Sequence, residues 1–98
     1  MNFTVAQKQS HHGLLLVVTD SEIMGKKFEE GKFQLDLTKE FYQGEKKNKE
    51  EVKELFLTAR HIHLTGKAAV AIAVEMDYIE ANKILWIKGI PHAEIVSE

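Results

Sequence analysis

Five histidines are the side chains best suited to bind a metal ion or to transfer a proton near neutral pH. His61 and His63 lie two residues apart near the end of a predicted helix, where such side chains point away from each other. His11 and His12 are adjacent in a predicted turn and should also diverge. Three of the five could converge only through tertiary folding, so the spacing predicts surface or capping imidazoles and no metal or cofactor.

Other catalytic and binding chemistries lack their characteristic residues. The chain has no cysteine, which excludes disulfides, a thiolate nucleophile and a thiolate zinc site. Its serines lack the context of a nucleophile elbow, and its glycines do not form a phosphate-binding loop. Arg60 is the only arginine, and the net charge of −2 is spread evenly along the chain. We therefore expect no high-affinity, sequence-specific binding of duplex DNA.

Length and composition predict one domain that spans residues 1–98. The 98 residues include 44% apolar and 29% charged side chains, which is typical of a folded chain with a single core. The longest strongly apolar run covers residues 14–18, far short of the ~20 residues that span a bilayer. With no cysteine and no signal-peptide pattern at the start, we expect a cytoplasmic protein without a membrane partner.

Alternating and continuous apolar runs predict the strands of the fold. Residues 3–7 alternate and residues 14–18 are apolar throughout, so the two should form a hairpin whose second strand is central. Residues 33–37 also alternate and should pair with residues 14–18. A further short strand is expected at residues 84–87, and the sheet is expected to end where Pro91 removes a backbone donor.

Two helices are expected in the second half of the chain. Asn48 and Glu51 stand at the positions of a capping box, and apolar residues at helical spacing predict a helix over residues 48–63. Residues 67–76 alternate like a strand but are rich in alanine, and we favour a second helix there. The predicted fold class is α+β, a two-layer domain whose antiparallel or mixed sheet of about four strands carries a helical hairpin on one face.

Three strings of residues are distinctive: Gly-Lys-Lys-Phe-Glu-Glu-Gly at 25–31, Phe-Tyr-Gln-Gly at 41–44 and Gly-Ile-Pro-His-Ala at 89–93. With these strings the chain resembles the archaeal family called domain of unknown function 424, and the similarity extends over nearly its whole length. The family has no established activity. The resemblance implies a cytoplasmic archaeal protein whose relatives lie among translation and RNA-handling genes. Thr19 stands where the resemblance leads us to expect a cysteine, and His63 where we expect an asparagine, so no role of that thiol or amide applies here.

The same strings contain the residues whose types packing explains least: Lys26, Lys27, Phe41, Tyr42, Pro91 and His92. The two lysines could meet phosphates, or they could belong to a tight loop whose charge the neighbouring glutamates compensate. The aromatic pair could stack on bases, or one ring could cap the core. The histidine after the proline could project into a cleft, or it could be buried and bonded to a loop carbonyl.

Three classes of function compete on this evidence. The favoured hypothesis is a non-enzymatic binding module for RNA or a ribonucleoprotein, based on the family association, the lysine clusters and the aromatic pair. Near-neutral charge and high apolar content favour instead a protein-interaction or homo-oligomerising module. The third hypothesis is an enzyme that uses His92 with Asp20 or Glu30 as acid and base, for which the sequence offers residue types but no recognisable constellation.

Overall fold

The computed structural model describes residues 2–96, which form strands, two α-helices and short 3₁₀ turns. The strands are β1 (Phe3–Ser10), β2 (Gly13–Asp20), β3 (Lys27–Glu30), β4 (Phe33–Asp36), β5 (Glu45–Lys47), β6 (His61–Thr65), β7 (Leu85–Ile87) and β8 (Ile90–Val96). The helices are α1 (Lys49–Phe56) and α2 (Lys67–Glu75), and 3₁₀ turns cover Ser21–Ile23, Glu40–Tyr42 and Ala81–Lys83. Within this part of the chain, no helix has the length and apolar character that crossing a bilayer requires.

The main sheet is mixed and has six strands in the order β5, β1, β2, β6, β8, β7. Its neighbouring strands are antiparallel except for β2 and β6, which run parallel with Leu15 opposite His61 and Thr19 opposite Thr65. β3 and β4 form a separate two-stranded hairpin that lies against β7. The β1–β2 hairpin and the central place of β2 are confirmed, whereas the predicted sheet of about four strands is too small.

Both helices pack on one face of the main sheet, which confirms the α+β class. The core on that face is formed chiefly by Phe3, Val5, Leu16, Val18, Ile62 and Leu64 of the strands with Val52, Phe56, Ala69, Val70, Ile72 and Ala73 of the helices. A smaller apolar cluster on the other face lies beneath the β3–β4 hairpin and contains Ile23, Leu35, Leu37 and Ile87. The hairpin leaves part of this second face open.

The predicted helix over residues 48–63 is right at its start and wrong in its second half. Asn48 accepts a hydrogen bond from the Glu51 N–H, and the Glu51 side chain accepts one from the Asn48 N–H, each at 2.9 Å. α1 ends at Phe56, and His61–Thr65 forms β6 instead. Polar and apolar side chains alternate in this segment, and pairing with β2 and β8 on its two sides outweighs the helical spacing. The predicted α2 is confirmed, but β6 separates the helices, so they do not form a hairpin.

Two strand predictions are also wrong. β4 pairs with β3, because Gly31 with a φ of +60° closes a tight turn between them, and β6 takes the place beside β2. The sheet does not end at Pro91, since β8 continues to Val96. The Pro91 carbonyl accepts a hydrogen bond from the Gly66 N–H at 2.9 Å. The nitrogen of Pro91 lies on the same side of its strand, where β6 has already ended at Thr65. No ladder hydrogen bond is lost there.

A buried carboxylate at the end of β2 fixes the start of α2. The Asp20 oxygens accept hydrogen bonds from the N–H groups of Ala68, at 3.0 Å, and Ala69, at 2.8 Å. These N–H groups belong to the first turn of α2, where backbone donors have no hydrogen-bond partner within the helix. Gly66, with a φ of +112°, lies so close that a Cβ there would be 2.3 Å from Asp20 Cγ. Burial raises the pKa of the Asp20 carboxyl, against the opposing effect of its two N–H donors.

Replacing Asp20 with asparagine should lower the free energy of unfolding by about 1–3 kcal/mol, because an amide cannot accept both N–H bonds. Denaturant unfolding followed by circular dichroism measures the change. Asp77→Asn is the control: it makes the same change at an exposed residue with a φ of +62°, a conformation that asparagine tolerates. Equal stability of the two variants would show that the carboxylate does not hold α2.

Candidate functional site

Strand geometry places three histidines on the face of the main sheet opposite the helices. Residues two apart in a strand share a face, so His61 and His63 of β6 point the same way while the residues between them pack toward the helices. β8 adds His92 and Glu94 on the same side, opposite Thr65 and His63 of β6. The prediction that His61 and His63 point apart is wrong, because it assumed a helix. We call this surface the histidine face.

Cross-strand register arranges the histidine face in three rows. The rows are Thr4, Thr19, Thr65 and His92; Ala6, Val17, His63 and Glu94; and Lys8, Leu15, His61 and Val96. Thr19 and Thr65 in the first row are fully buried. The Thr19 hydroxyl has no hydrogen-bond partner among the described residues. The register thus brings side chains from β1, β2, β6 and β8 to one surface.

Two imidazoles and a carboxylate meet at the centre of this face. The Nε2 atom of His61 lies 2.6 Å from Oε1 of Glu94, and Nε2 of His63 lies 3.7 Å from the same oxygen. One possible ligand atom from each of the three side chains lies within 4.8 Å of the other two. We call these residues the His61–His63–Glu94 cluster. Its imidazoles and carboxylate are ligand types that divalent transition metals prefer.

Burial and neighbouring groups set the protonation of the site. The hydrogen bond from His61 lowers the pKa of the Glu94 carboxyl, and the adjacent His63 and His92 rings add to that effect. Burial lowers the pKa of His63, opposed by Glu94. Burial also lowers the pKa of His92, and the neighbouring His63 lowers it further. Near neutral pH the face therefore combines a charged carboxylate with neutral imidazoles at His63 and His92.

His92 is a half-buried member of the face that bonds within the sheet. Its Nδ1 atom lies 2.8 Å from Oγ1 of Thr65, so its partner is a threonine hydroxyl and not a loop carbonyl. Its ring centroid is 6.0 Å from that of His63. The two carboxylates considered as its acid–base partners are bonded elsewhere: Asp20 caps α2, and Glu30 accepts a hydrogen bond from the Lys88 N–H.

The predicted aromatic pair is divided between two surroundings. The Phe41 ring meets His63 edge to face with centroids 5.3 Å apart, and the Lys8 ammonium lies 4.7 Å from the Phe41 centroid. Phe41 therefore belongs to the histidine face. Tyr42 packs against the smaller apolar cluster, and burial, together with nearby Asp36, raises its pKa. Of the two rings, Tyr42 thus packs against the core and Phe41 lies on the histidine face.

Of the remaining predicted residues, Lys26 and Lys27 lie at the β3–β4 hairpin, and Pro91 directly precedes His92 in β8. Lys26 and Lys27 are exposed at the start of the β3–β4 hairpin, where Lys27 lies 4.0 Å from the Asp36 carboxylate. Pro91 is buried, and its carbonyl supports Gly66. Of the six predicted site residues, Phe41 and His92 both lie beside His63, and the Phe41 ring also meets Tyr42 edge to face with centroids 5.1 Å apart.

A groove of about 810 Å³ opens at the end of the main sheet beside His61. Its lining consists of Gln9, Ser10, His11, His12, Gly13, Arg60, His61 and Val96. The rings of His11 and His12 lie side by side with centroids 4.1 Å apart, so the prediction that they diverge is wrong. These residues come from separate segments of the chain, so their types and spacing in the sequence did not predict a site. The alternation of polar and apolar residues in His61–Thr65 was the signal that could have revealed a strand and a shared face.

The lowered pKa values of His63 and His92 predict a loss of stability on mild acidification. Below their ordinary pKa of 6.5 the unfolded chain binds more protons than the folded one, so the free energy of unfolding should fall from about pH 7.5 to pH 5. Urea unfolding at several pH values measures this slope, which His92→Gln should flatten. His12→Gln, in an exposed turn, is the control and should keep the parent slope. Stability that is constant or rises on acidification would contradict the assignment.

Comparison with known proteins identifies a family but no activity. A family model described as a protein of unknown function (DUF424) matches residues 8–97. The crystal structure of an uncharacterized conserved protein from Methanopyrus kandleri has the same fold, with a TM-score of 0.80 and 16% sequence identity over 100% of this chain and 95% of that chain. No curated protein matches the sequence. The resemblance drawn from the three strings is thus confirmed, and the chain belongs to the DUF424 family of proteins of unknown function.

Proposed function

We propose that the protein is a non-enzymatic binding module for single-stranded RNA, which it contacts along the groove beside the histidine face. The composition of the groove carries this proposal, since its lining combines the only arginine of the chain with three imidazole rings. A guanidinium forms paired hydrogen bonds with phosphate. Flat rings stack on unpaired bases, which are the parts of RNA that proteins read most readily.

The arginine is held in place through both its backbone and its side-chain stem. The Arg60 N–H donates a hydrogen bond to the Leu14 carbonyl at 3.0 Å. Gly13, with a φ of +110°, leaves room for the stem, because a Cβ there would lie 2.4 Å from Arg60 Cγ. His11 and His12 are exposed in the same turn. A positioned cation beside exposed rings is a combination found at single-stranded sites.

Lys8 and Phe41 extend this surface from the groove across the sheet. Lys8 shares a cross-strand row with His61, which lines the groove, and its ammonium lies 4.7 Å from the Phe41 ring centroid. The net charge of −2 keeps the number of phosphate contacts small. We therefore expect binding that is weak, tolerant of base sequence and easily reversed by salt.

Arg60→Ala should weaken the binding of a short single-stranded RNA and reduce the dependence of log affinity on log salt by about 0.7 for each lost phosphate contact. Fluorescence anisotropy at several salt concentrations measures both quantities. Arg60→Lys keeps the charge, so it should restore the salt slope but only part of the affinity. Lys53→Ala removes a similar charge from α1, on the helical side, and should bind like the parent.

The lysine pair at the start of β3 is tested in the same assay. Lys26→Ala combined with Lys27→Ala should flatten the salt slope if the RNA also crosses that end of the molecule. An unchanged slope would confine the contact to the groove. If the unmodified chain shows no saturable binding at low salt, or if Arg60→Ala binds as well as the parent, the RNA proposal fails.

Self-association is a second candidate function, favoured by the edge of the sheet at β7. This edge strand exposes 40% of Leu85 and 54% of Trp86. Unpaired backbone groups on an edge strand can bond to the same strand of a second copy. We expect a concentration-dependent dimer in sedimentation equilibrium that Trp86→Lys prevents, whereas Leu57→Lys, at an exposed residue after α1, leaves it intact. A parent chain that stays monomeric at the highest concentration removes this candidate.

A further inference from the structure

We propose that the His61–His63–Glu94 cluster is a binding site for one divalent transition-metal ion such as Zn²⁺, held by two imidazole nitrogens and a carboxylate oxygen. This inference does not depend on RNA binding. It depends on the positions of three side chains that the fold brings to one point on the sheet.

The backbone presents these ligands in a rigid and convergent way. β6 is an internal strand paired with β2 on one side and β8 on the other, so both of its histidines project from a backbone fixed on two sides. Glu94 stands directly opposite His63 in the antiparallel register of β8. Sites built on strands hold their ligands more precisely than sites built on loops.

Two of the three ligand-atom separations are close to those around a bound ion, and all three atoms lie within 4.8 Å of one another. Ligand bonds of about 2.0–2.1 Å in a tetrahedral zinc site place two ligand atoms about 3.3 Å apart. The two histidine Nε2 atoms lie 2.6 Å and 3.7 Å from the same Glu94 oxygen, one slightly below and one slightly above this value. Side-chain rotations that bring the three ligand atoms to about this spacing would seat an ion, with the Nε2 hydrogen of His61 moving to Nδ1 by exchange with solvent as the metal takes its place.

The ligand set determines which metal ions the cluster can bind and how many coordination positions stay free. Imidazole nitrogens favour Zn²⁺, Co²⁺, Ni²⁺ and Cu²⁺ over Mg²⁺ and Ca²⁺, which prefer oxygen ligands. Three protein ligands leave at least one position of a four-coordinate ion free. Half of the Glu94 side chain is exposed, and His61 lines the neighbouring groove, so solvent or a small donor ligand can reach that position.

The test is a titration of the full chain, first treated with a chelator, with Co²⁺ followed by visible absorption and with Zn²⁺ followed by calorimetry. We expect one ion per chain, displacement of Co²⁺ by Zn²⁺, no response to Mg²⁺ and a melting temperature raised by Zn²⁺. His63→Asn and Glu94→Gln should each weaken Zn²⁺ binding on the order of tenfold or more and abolish the thermal shift. His12→Asn is the matched control, because it removes an exposed histidine outside the cluster.

Thermal unfolding without metal shows whether each variant is folded. If His63→Asn is unstable, Glu94→Gln decides the test, because Glu94 is exposed and its replacement disturbs the core least. The proposal is overturned if the parent binds no ion. It is also overturned if folded cluster variants bind like the parent, or if His12→Asn alone removes binding. Arg60→Ala should keep full metal affinity, so failure of the metal site and failure of the RNA proposal are separate outcomes.

Discussion

The Asp20 carboxylate is the interaction on which the rest of the architecture depends. It stands at the end of β2 and bonds to the N-terminus of the helix that follows β6, so it joins two parallel strands at the same end of the sheet. The helix anchored there lies against β2, β6 and β8 and buries their apolar side. Alternation then leaves the polar residues of the same strands on the reverse side. The histidine face is thus the reverse side of the strands against which Asp20 holds α2.

Local signals in the sequence were sufficient for part of the fold. The β1–β2 hairpin, the capping box at Asn48 and the helix α2 each depend on neighbouring residues, and each is confirmed. The partner of β2 and the end of α1 depend on contacts between distant segments. In residues 57–65 helical and strand periodicities coincide, and only the pairing with β2 and β8 decides between them. Local periodicity holds no information on that pairing.

The same ambiguity determined how much of the site could be predicted. Phe41 and His92 were identified from residue type, but His61 and His63 were dismissed because a helix would separate them. Glu94 gave no signal of its own, since its role comes from the register of β8. His63 also stands where the family resemblance suggests an asparagine, so the cluster depends on a residue outside that pattern. The Thr19 hydroxyl is buried and has no hydrogen-bond partner within residues 2–96, a cost that sequence patterns do not reveal.

The parallel pairing of β2 with β6 joins segments that are far apart in the chain, with the β3–β4 hairpin and α1 between them. Closing so long a loop costs conformational entropy before the new contacts can stabilise the chain. The two hairpins and α1 need only local contacts, and elements of that kind form within microseconds. We therefore expect β6 and β8 to join the sheet late in folding. A newly made chain that has not reached that step carries Glu94 apart from the two histidines of β6, so the His61–His63–Glu94 cluster forms only together with the complete core.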